Sequence, residues 1–353
     1  MAYLAGKIVL AVTAGAPNNG RGEATTARVK KTVIRQQTYP YVSAQALRRW
    51  LRDTMTERGA LPSPTDRVGR KQGKAQKATT AADPIRYADD DLFGYLKATA
   101  KAEGTDTTLR DSPFMVGTLL AVEPARPTED YGVMARGIDD PVLHTHEFYT
   151  ADLAAPFLLD VPRIGTFTLP TASGAGKANY LTQEAAMQVA DAVSVGAEPV
   201  TFRGQPAVRL PLVVRRERAA LLLESLAEIV GGAKKGLHYG DRTPTLLMLL
   251  AMDGGVNPLD FTISGADDGS GLQVRGDVLR AELQAWDAQW QPPVRVGWRP
   301  GFREITRKQF ESDVAAEIEA GDILIDHPRT MLRTVAAELR DGTHDSWFDD
   351  PAR

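Results

Sequence analysis

Cysteine is absent from all 353 positions, which removes disulfides and thiolate metal sites together. Long apolar runs are missing too. No stretch approaches the ~20 residues that a membrane-crossing helix needs. The opening "MAYLAGKIVLAVTAGAP" has a short apolar run and one early lysine, less than a secretory leader requires, and reads as a first strand. A soluble, cytoplasmic protein without a membrane partner is expected. A nucleotide-hydrolysing loop is also lacking. A Walker A loop needs Lys and then Ser or Thr after its last glycine. "APNNGRGEAT" has neither, while "TASGAGKAN" follows Lys177 with Ala178 and has Thr171 where the first glycine belongs. No internal repeat is visible.

What is present is an apolar fraction of 43%, enough for a sizeable core in one large or two modest domains. The net charge of −3 hides an asymmetry. From Arg21 to Lys77 there are fourteen Lys/Arg and four Asp/Glu, so this segment carries +10 and the remainder −13. A polyanion responds to the local field rather than the average. The run "RVGRKQGKAQK", Arg67–Lys77, also reads as a plain solvated basic loop.

Lys7–Thr13 is a buried-strand candidate, followed by the glycine loop "AGAPNNGRGEATTARVKK". "KKTVIR" reads as a short edge strand. Ser43 is placed to cap a helix, in which Ala44, Leu47, Leu51 and Met55 share an apolar face and Gln45, Arg48, Arg49 and Arg52 lie opposite. Residues 56–112 change character and read as an insertion, with a short helix in "DDDLFGYLKATAK". Strand signals return at Phe114–Val122 and in "VLHTHEFYT", with a projecting hairpin or loop from Pro124 to Pro141. Arg215–Val230 reads as a helix with Ala219, Leu222, Leu223, Leu226, Ile229 and Val230 on its apolar side. "TPTLLMLLAM" is a strand buried on both faces. Thr306 and Gln309 form a capping-box pattern, Gly321 ends that helix, and the tail "DGTHDSWFDDPAR" is expected to be exposed. Without its insertions the order is strand, helix, strand, strand, helix, strand: an α+β, ferredoxin-like split βαβ order that RNA-recognition modules share.

The glycine loop reads either as a plain connection or as an anion cradle, in which glycines admit backbone N–H groups and Asn18 and Asn19 give and accept hydrogen bonds. Its neighbour favours binding. Arg48, Arg49 and Arg52 can fork onto phosphate oxygens, and Asp53 is the only acid mixed into that face. A second glycine-and-lysine loop, "GGAKKGLHYGD", offers Gly231, Gly232, Lys234, Lys235 and His238. Its plain alternative is a helix C-cap and solvated turn. His144 and His146, two apart on one strand, point the same way and are candidates for a metal or for acid–base nuclease work, or are simply polar positions. No second cluster of ligands is evident.

"NNGRGE", "YPYVSAQALRRWLR", "DDDLFGYLKA", "SPFMVGTLLAVEP", "DYGVM", "PVLHTHEFYT" and, later, "GGAKKGLHYGDRTPTLL" occur in an order that resembles the DevR-type CRISPR-associated proteins, the repeated backbone subunit of type I Cascade, most like type I-B. The resemblance covers residues 7–150 in order and is looser after Pro258. It implies an RNA-recognition-motif-like palm (1–55 with 113–123 and 142–264), a helical finger insertion (56–112), a thumb hairpin (124–141) and a helical C-terminal extension packed on the palm (265–353). It implies several copies, head to tail, along one guide RNA. They would hold its backbone and present the spacer to a target DNA strand beside other Cascade subunits. By position, Asn18, Asn19 and Arg21 would be the first loop on the RNA. Ser43, Gln45, Arg48, Arg49 and Arg52 would be the phosphate-binding helix, Lys234 and Lys235 the second loop, and Val133 and Met134 the thumb wedge. Related type III subunits cut RNA with an aspartate on the first loop. Here that loop offers amides and Glu23, so a non-catalytic chain without cofactor or metal is expected. The alternative is a metal-dependent ribonuclease using His144, His146 or Glu23.

Overall fold

The computed structural model describes residues 2–22, 26–68, 77–101, 104–135, 137, 142–169, 193, 196–266, 268–269 and 271–350. The first apolar run folds as β1 (Ala2–Gly15), longer at both ends than the stretch the sequence predicts. Along the chain follow β2 (Lys31–Ile34), β3 (Gln37–Val42), helix α1 (Ala44–Glu57) and the short helix α2 (Ala88–Phe93). Next come β4 (Phe114–Val116), β5 (Leu119–Ala121), β6 (Thr128–Met134), the long β7 (Val142–Asp160), helix α3 (Leu212–Ala227) and β8 (Leu246–Asp253). The last third adds α4 (Gly276–Ala285), β9 (Trp290–Trp298), α5 (Glu304–Asp313), α6 (Ala315–Ala320), β10 (Ile323–Asp326) and α7 (Pro328–Asp341).

One large sheet runs in the order β10-β9-β8-β1-β7-β5-β3-β2. Its neighbours along that path are antiparallel except β9 and β10. The set β1-α1-β5-β7-α3-β8 therefore occupies the order fourth, first, third, second, which is the split βαβ arrangement. β2 sits at the edge, as "KKTVIR" predicts.

Side chains on adjacent positions of a strand leave opposite faces, and β8 uses both. Leu247, Leu249 and Ala251 join Leu47 and Leu51 of α1, Leu222 and Leu226 of α3, and Val335 of α7. Leu246, Met248, Leu250 and Met252 join Leu279, Val296 and Phe310 on the other side. A strand flanked by β1 and β9 and covered on both faces explains the unbroken apolar run in "LLMLLAM".

The insertion differs from its sequence reading. Helix α2 stops at Gly94, and "YLKATAK" is instead one arm of a hairpin, Tyr95–Lys101 with Gly104–Arg110. A second hairpin pairs Thr65–Val68 with Lys77–Thr80. The residues of the basic run from 69 to 76 lie outside the described residues. Asp91, fully buried, fastens the insertion to the body: it pairs with Arg110, with Arg218 of α3 at 2.6 Å, and with the Gly165 N–H at 2.9 Å.

Four further expectations are corrected. The capping box at Thr306 and Gln309 does not form, because α5 starts two residues earlier and Glu304 itself accepts from the Gly301 N–H. Val230 is exposed, since α3 ends at Ala227 with Glu228 as its C-cap. The tail is not an exposed appendage: a short 3-10 helix, Asp345–Phe348, buries Trp347 and Phe348 in the core. Nor is the C-terminal third purely helical, since β9 and β10 extend the sheet.

Candidate nucleic-acid interface

Three segments meet beside the C-terminal half of α1: the first glycine loop, α1 itself and the second glycine loop. Ser43 caps α1 by accepting the Ala46 N–H. At the other end Thr54 Oγ1 accepts the Val230 N–H at 3.0 Å, which ties α1 to the start of the second loop. Gly231 lies against the Trp50 ring so closely that a Cβ there would come within 2.1 Å of Trp50 Cγ. Gly232 follows in a left-handed conformation, φ 97°, which glycine adopts without strain. The Ala233 N–H then donates to Pro17 O at 2.9 Å, which joins the two glycine loops directly.

Within the first loop the two asparagines differ. Asn18 is buried and structural: its Nδ2 donates to Tyr41 O and its backbone O accepts from Lys30 N–H. Asn19 and Arg21 are exposed. Glu23 lies outside the described residues.

The arginines of α1 also divide. Gln45 and Arg49 face solvent, and Arg49 pairs with Asp53 one turn on, at 2.8 Å. Arg48 leans toward β4 and Arg52 toward the insertion. Arg48 Nη2 donates to Phe114 O at 3.3 Å. The Arg52 guanidinium lies 4.7 Å over the Phe93 ring and 3.8 Å from Asp89. Both keep a buried Nε with no hydrogen-bond partner. Burial pushes both guanidinium pKa values down, as expected for cations short of counter-charge.

On the second loop Lys235 is exposed, while Lys234 is half-buried and burial lowers its pKa. His238 turns inward, its ring 4.8 Å from His146 and 5.2 Å from Phe148. His144 and His146 do share one face of β7, their rings stacked 6.2 Å apart. His146 is buried, 3.3 Å from Asp130. Burial first, then Lys234 and His238, hold its pKa below the ordinary value. Among the described residues no group of three His, Asp or Glu is placed to hold a metal ion. Glu147 has a different task. It accepts from Lys31, Arg28 and the Val29 N–H at 2.6, 2.9 and 2.9 Å. Burial raises its pKa, but the bonds from Lys31 and Val29 outweigh burial and hold it low.

The hairpin between Pro124 and Pro141 is a projecting ribbon of β6 on the outer half of β7. Val133 pairs with Leu143 and Met134 with Val142, and all four side chains are exposed, as is Tyr131. The sequence reading picked only Val133 and Met134. The apolar residues returning on β7 carried a signal, because a ribbon tip presents both its strands. It also missed Arg242 and Tyr149 beneath the loops, and the exposed Leu237 and Tyr239 on the second loop. An aromatic beside two lysines was legible. Arg242 was not, because only the fold brings it under Gly15.

No protein-family model and no curated protein matches the chain. Its fold is nevertheless shared with solved structures. One, described as a CRISPR RNA-guided surveillance complex, has a chain 12% identical with a TM-score of 0.51, covering 95% of this chain and 98% of that one. Another, described as a CRISPR RNA-guided surveillance complex, pre-nicking, is 10% identical with a TM-score of 0.52, covering 96% and 99%.

Proposed function

We propose that this chain is a non-catalytic, guide-RNA-binding backbone subunit of a type I Cascade effector, of the DevR type and most like type I-B. The observation that carries the reading is the convergence of α1 with both glycine loops, where cationic groups lie exposed or with unpartnered donors. Full-length likeness in fold to chains of RNA-guided surveillance complexes supports it. In this reading the split βαβ core is the palm, residues 56–112 the finger and the β6–β7 ribbon the thumb.

The physics suits a reader of backbone rather than sequence. Guide–target pairing supplies specificity, so the protein needs a phosphate track and shape. Arg21, Arg49 and Lys235 face solvent and meet phosphates directly. Arg48, Arg52 and Lys234 set the field behind them. The exposed apolar tip, Tyr131, Val133, Met134, Val142 and Leu143, wedges between bases. Copies stack head to tail, the acidic remainder of one meeting the basic segment of the next. The complex pairs with a target DNA strand and includes other Cascade subunits.

Arg49→Ala combined with Lys235→Ala tests the track. Guide-RNA affinity should fall for every sequence alike, and the slope of log affinity against log salt should shrink by about 0.7 per lost contact. An unchanged slope refutes the placement. RNA incubated with the wild-type protein and a divalent cation should stay intact. Cleavage lost in His144→Ala would favour the ribonuclease reading instead.

A further inference from the structure

Arg242 forms no ion pair within 4 Å among the described residues. It is 4% exposed, and among the described residues its side chain hydrogen-bonds from Nη1 to the preceding carbonyl, Asp241 O, at 3.3 Å. Nε and Nη2 are buried with no hydrogen-bond partner. The adjacent carboxylate is committed elsewhere: Asp241 accepts from Thr243 N–H and Oγ1 and from Arg299 at 2.6 Å. Leaving a guanidinium dry and unpaired is costly, and burial accordingly lowers its pKa.

The surroundings are built for close approach by something other than a side chain. Three glycines line the guanidinium. A Cβ on Gly240 would come within 2.6 Å of Nη1, one on Gly232 within 3.3 Å of Nε, and one on Gly15 within 3.6 Å of Nη2. Gly15 is the register partner of Tyr149 on β7. Tyr149 is 2% exposed, and its hydroxyl also lacks a partner. Two N–H groups of one fork and a phenolic O–H, none of them with a hydrogen-bond partner among the described residues, form a set of unused donors. Donors without acceptors fit an oxyanion, and a planar fork fits two oxygens of a phosphate.

We propose that Arg242 and Tyr149 form a phosphate seat beneath the second glycine loop, taking one backbone phosphate of a bound single-stranded polynucleotide. This rests on the RNA-binding reading for the source of the phosphate, not for the chemistry of the seat. Entry requires the loop to lift about Gly232 and Gly240. The stretch between them is mostly exposed, and the Ala233 N–H to Pro17 O bond ties it to the first loop.

The test compares full-length wild type, Arg242→Gln and Tyr149→Phe. Free proteins are melted in inorganic phosphate against chloride at matched ionic strength, and binding of a labelled single-stranded RNA is titrated across salt. Phosphate should raise the wild-type melting temperature beyond chloride and lose that effect in Arg242→Gln. RNA affinity should fall about tenfold in Arg242→Gln, with a slope smaller by about 0.7. Tyr149→Phe should show a smaller loss at unchanged slope. Without ligand, Arg242→Gln should melt no lower than wild type, because an uncompensated buried charge is gone. A lower melting point would make Arg242 structural and overturn the seat. Equal phosphate protection and equal RNA slope in all three proteins would also overturn it. Failure of Arg242→Gln to fold counts as the same result as a lower melting point, and undiminished phosphate protection and RNA affinity in Tyr149→Phe independently refute the seat. Protection that depends on Arg242 while RNA affinity does not means that the seat takes free phosphate, which overturns the polynucleotide source. If wild type binds no RNA yet shows that protection, the seat stands and the guide-RNA reading falls.

Discussion

Arg49 and Arg52 sit one turn apart on α1, yet their replacement by alanine should separate binding from stability. Arg49 is exposed, and among the described residues its ion-pair partner is Asp53. Exposed i,i+4 pairs contribute about 0.3–0.5 kcal/mol, so Arg49→Ala should leave the urea midpoint nearly unchanged. Arg52 lies on Phe93 and opposite Asp89. The ring contact is worth about 0.5–2 kcal/mol. Its loss also leaves Asp89 facing Asp90 in a buried setting that already raises the Asp89 pKa. Together these predict a loss of roughly 2–3 kcal/mol in Arg52→Ala. In RNA titrations the order reverses: Arg49→Ala should lose about 0.7 of salt slope, a loss that its stability does not explain. Urea unfolding and anisotropy on the same preparations decide. Equal destabilisation by the two variants, or an Arg49→Ala with wild-type affinity and slope, would refute the division of the helix into an outer and an anchoring side.

Gly231→Ala would drive a methyl into the Trp50 ring. It should cost about 1–3 kcal/mol of overpacking in a thermal melt and weaken guide binding by displacing the second loop. Val133→Ser with Leu143→Ser alters only exposed ribbon side chains. It should hold stability within about 0.5 kcal/mol yet abolish any regular spacing in nuclease footprints of bound RNA. The folded pKa of His146 lies below 6.5. The unfolded chain then binds more protons between the two values, so stability is full above 6.5 and falls as pH drops through the folded value. His146→Phe should flatten that part of a melting-temperature profile.

Periodicity made the core legible. Leu47, Leu51 and Met55 repeat at helical spacing, and "LLMLLAM", short and uniformly apolar, reads most like a strand covered on both faces. Glycine in "LFGYL" was the available cue that α2 stops, but Tyr, Leu and Lys suit either state and only pairing with Gly104–Arg110 decides. The tail misled because its acids dominate the composition, while Trp347 and Phe348 supply the burial. The arginine face of α1 was visible as charge. Its split was not, because Asp89, Phe93 and Phe114 reach Arg48 and Arg52 only through the fold.

β7 runs unbroken for nineteen residues, about 60 Å at ordinary strand rise. Its inner half is hydrogen-bonded to β1 in the middle of the sheet, and its outer half carries the apolar tip. One backbone thus acts as both rafter and outrigger. Torque on the tip is delivered to the most buried strands of the molecule, not absorbed at a joint, so the attitude of the ribbon is set by the sheet's own twist.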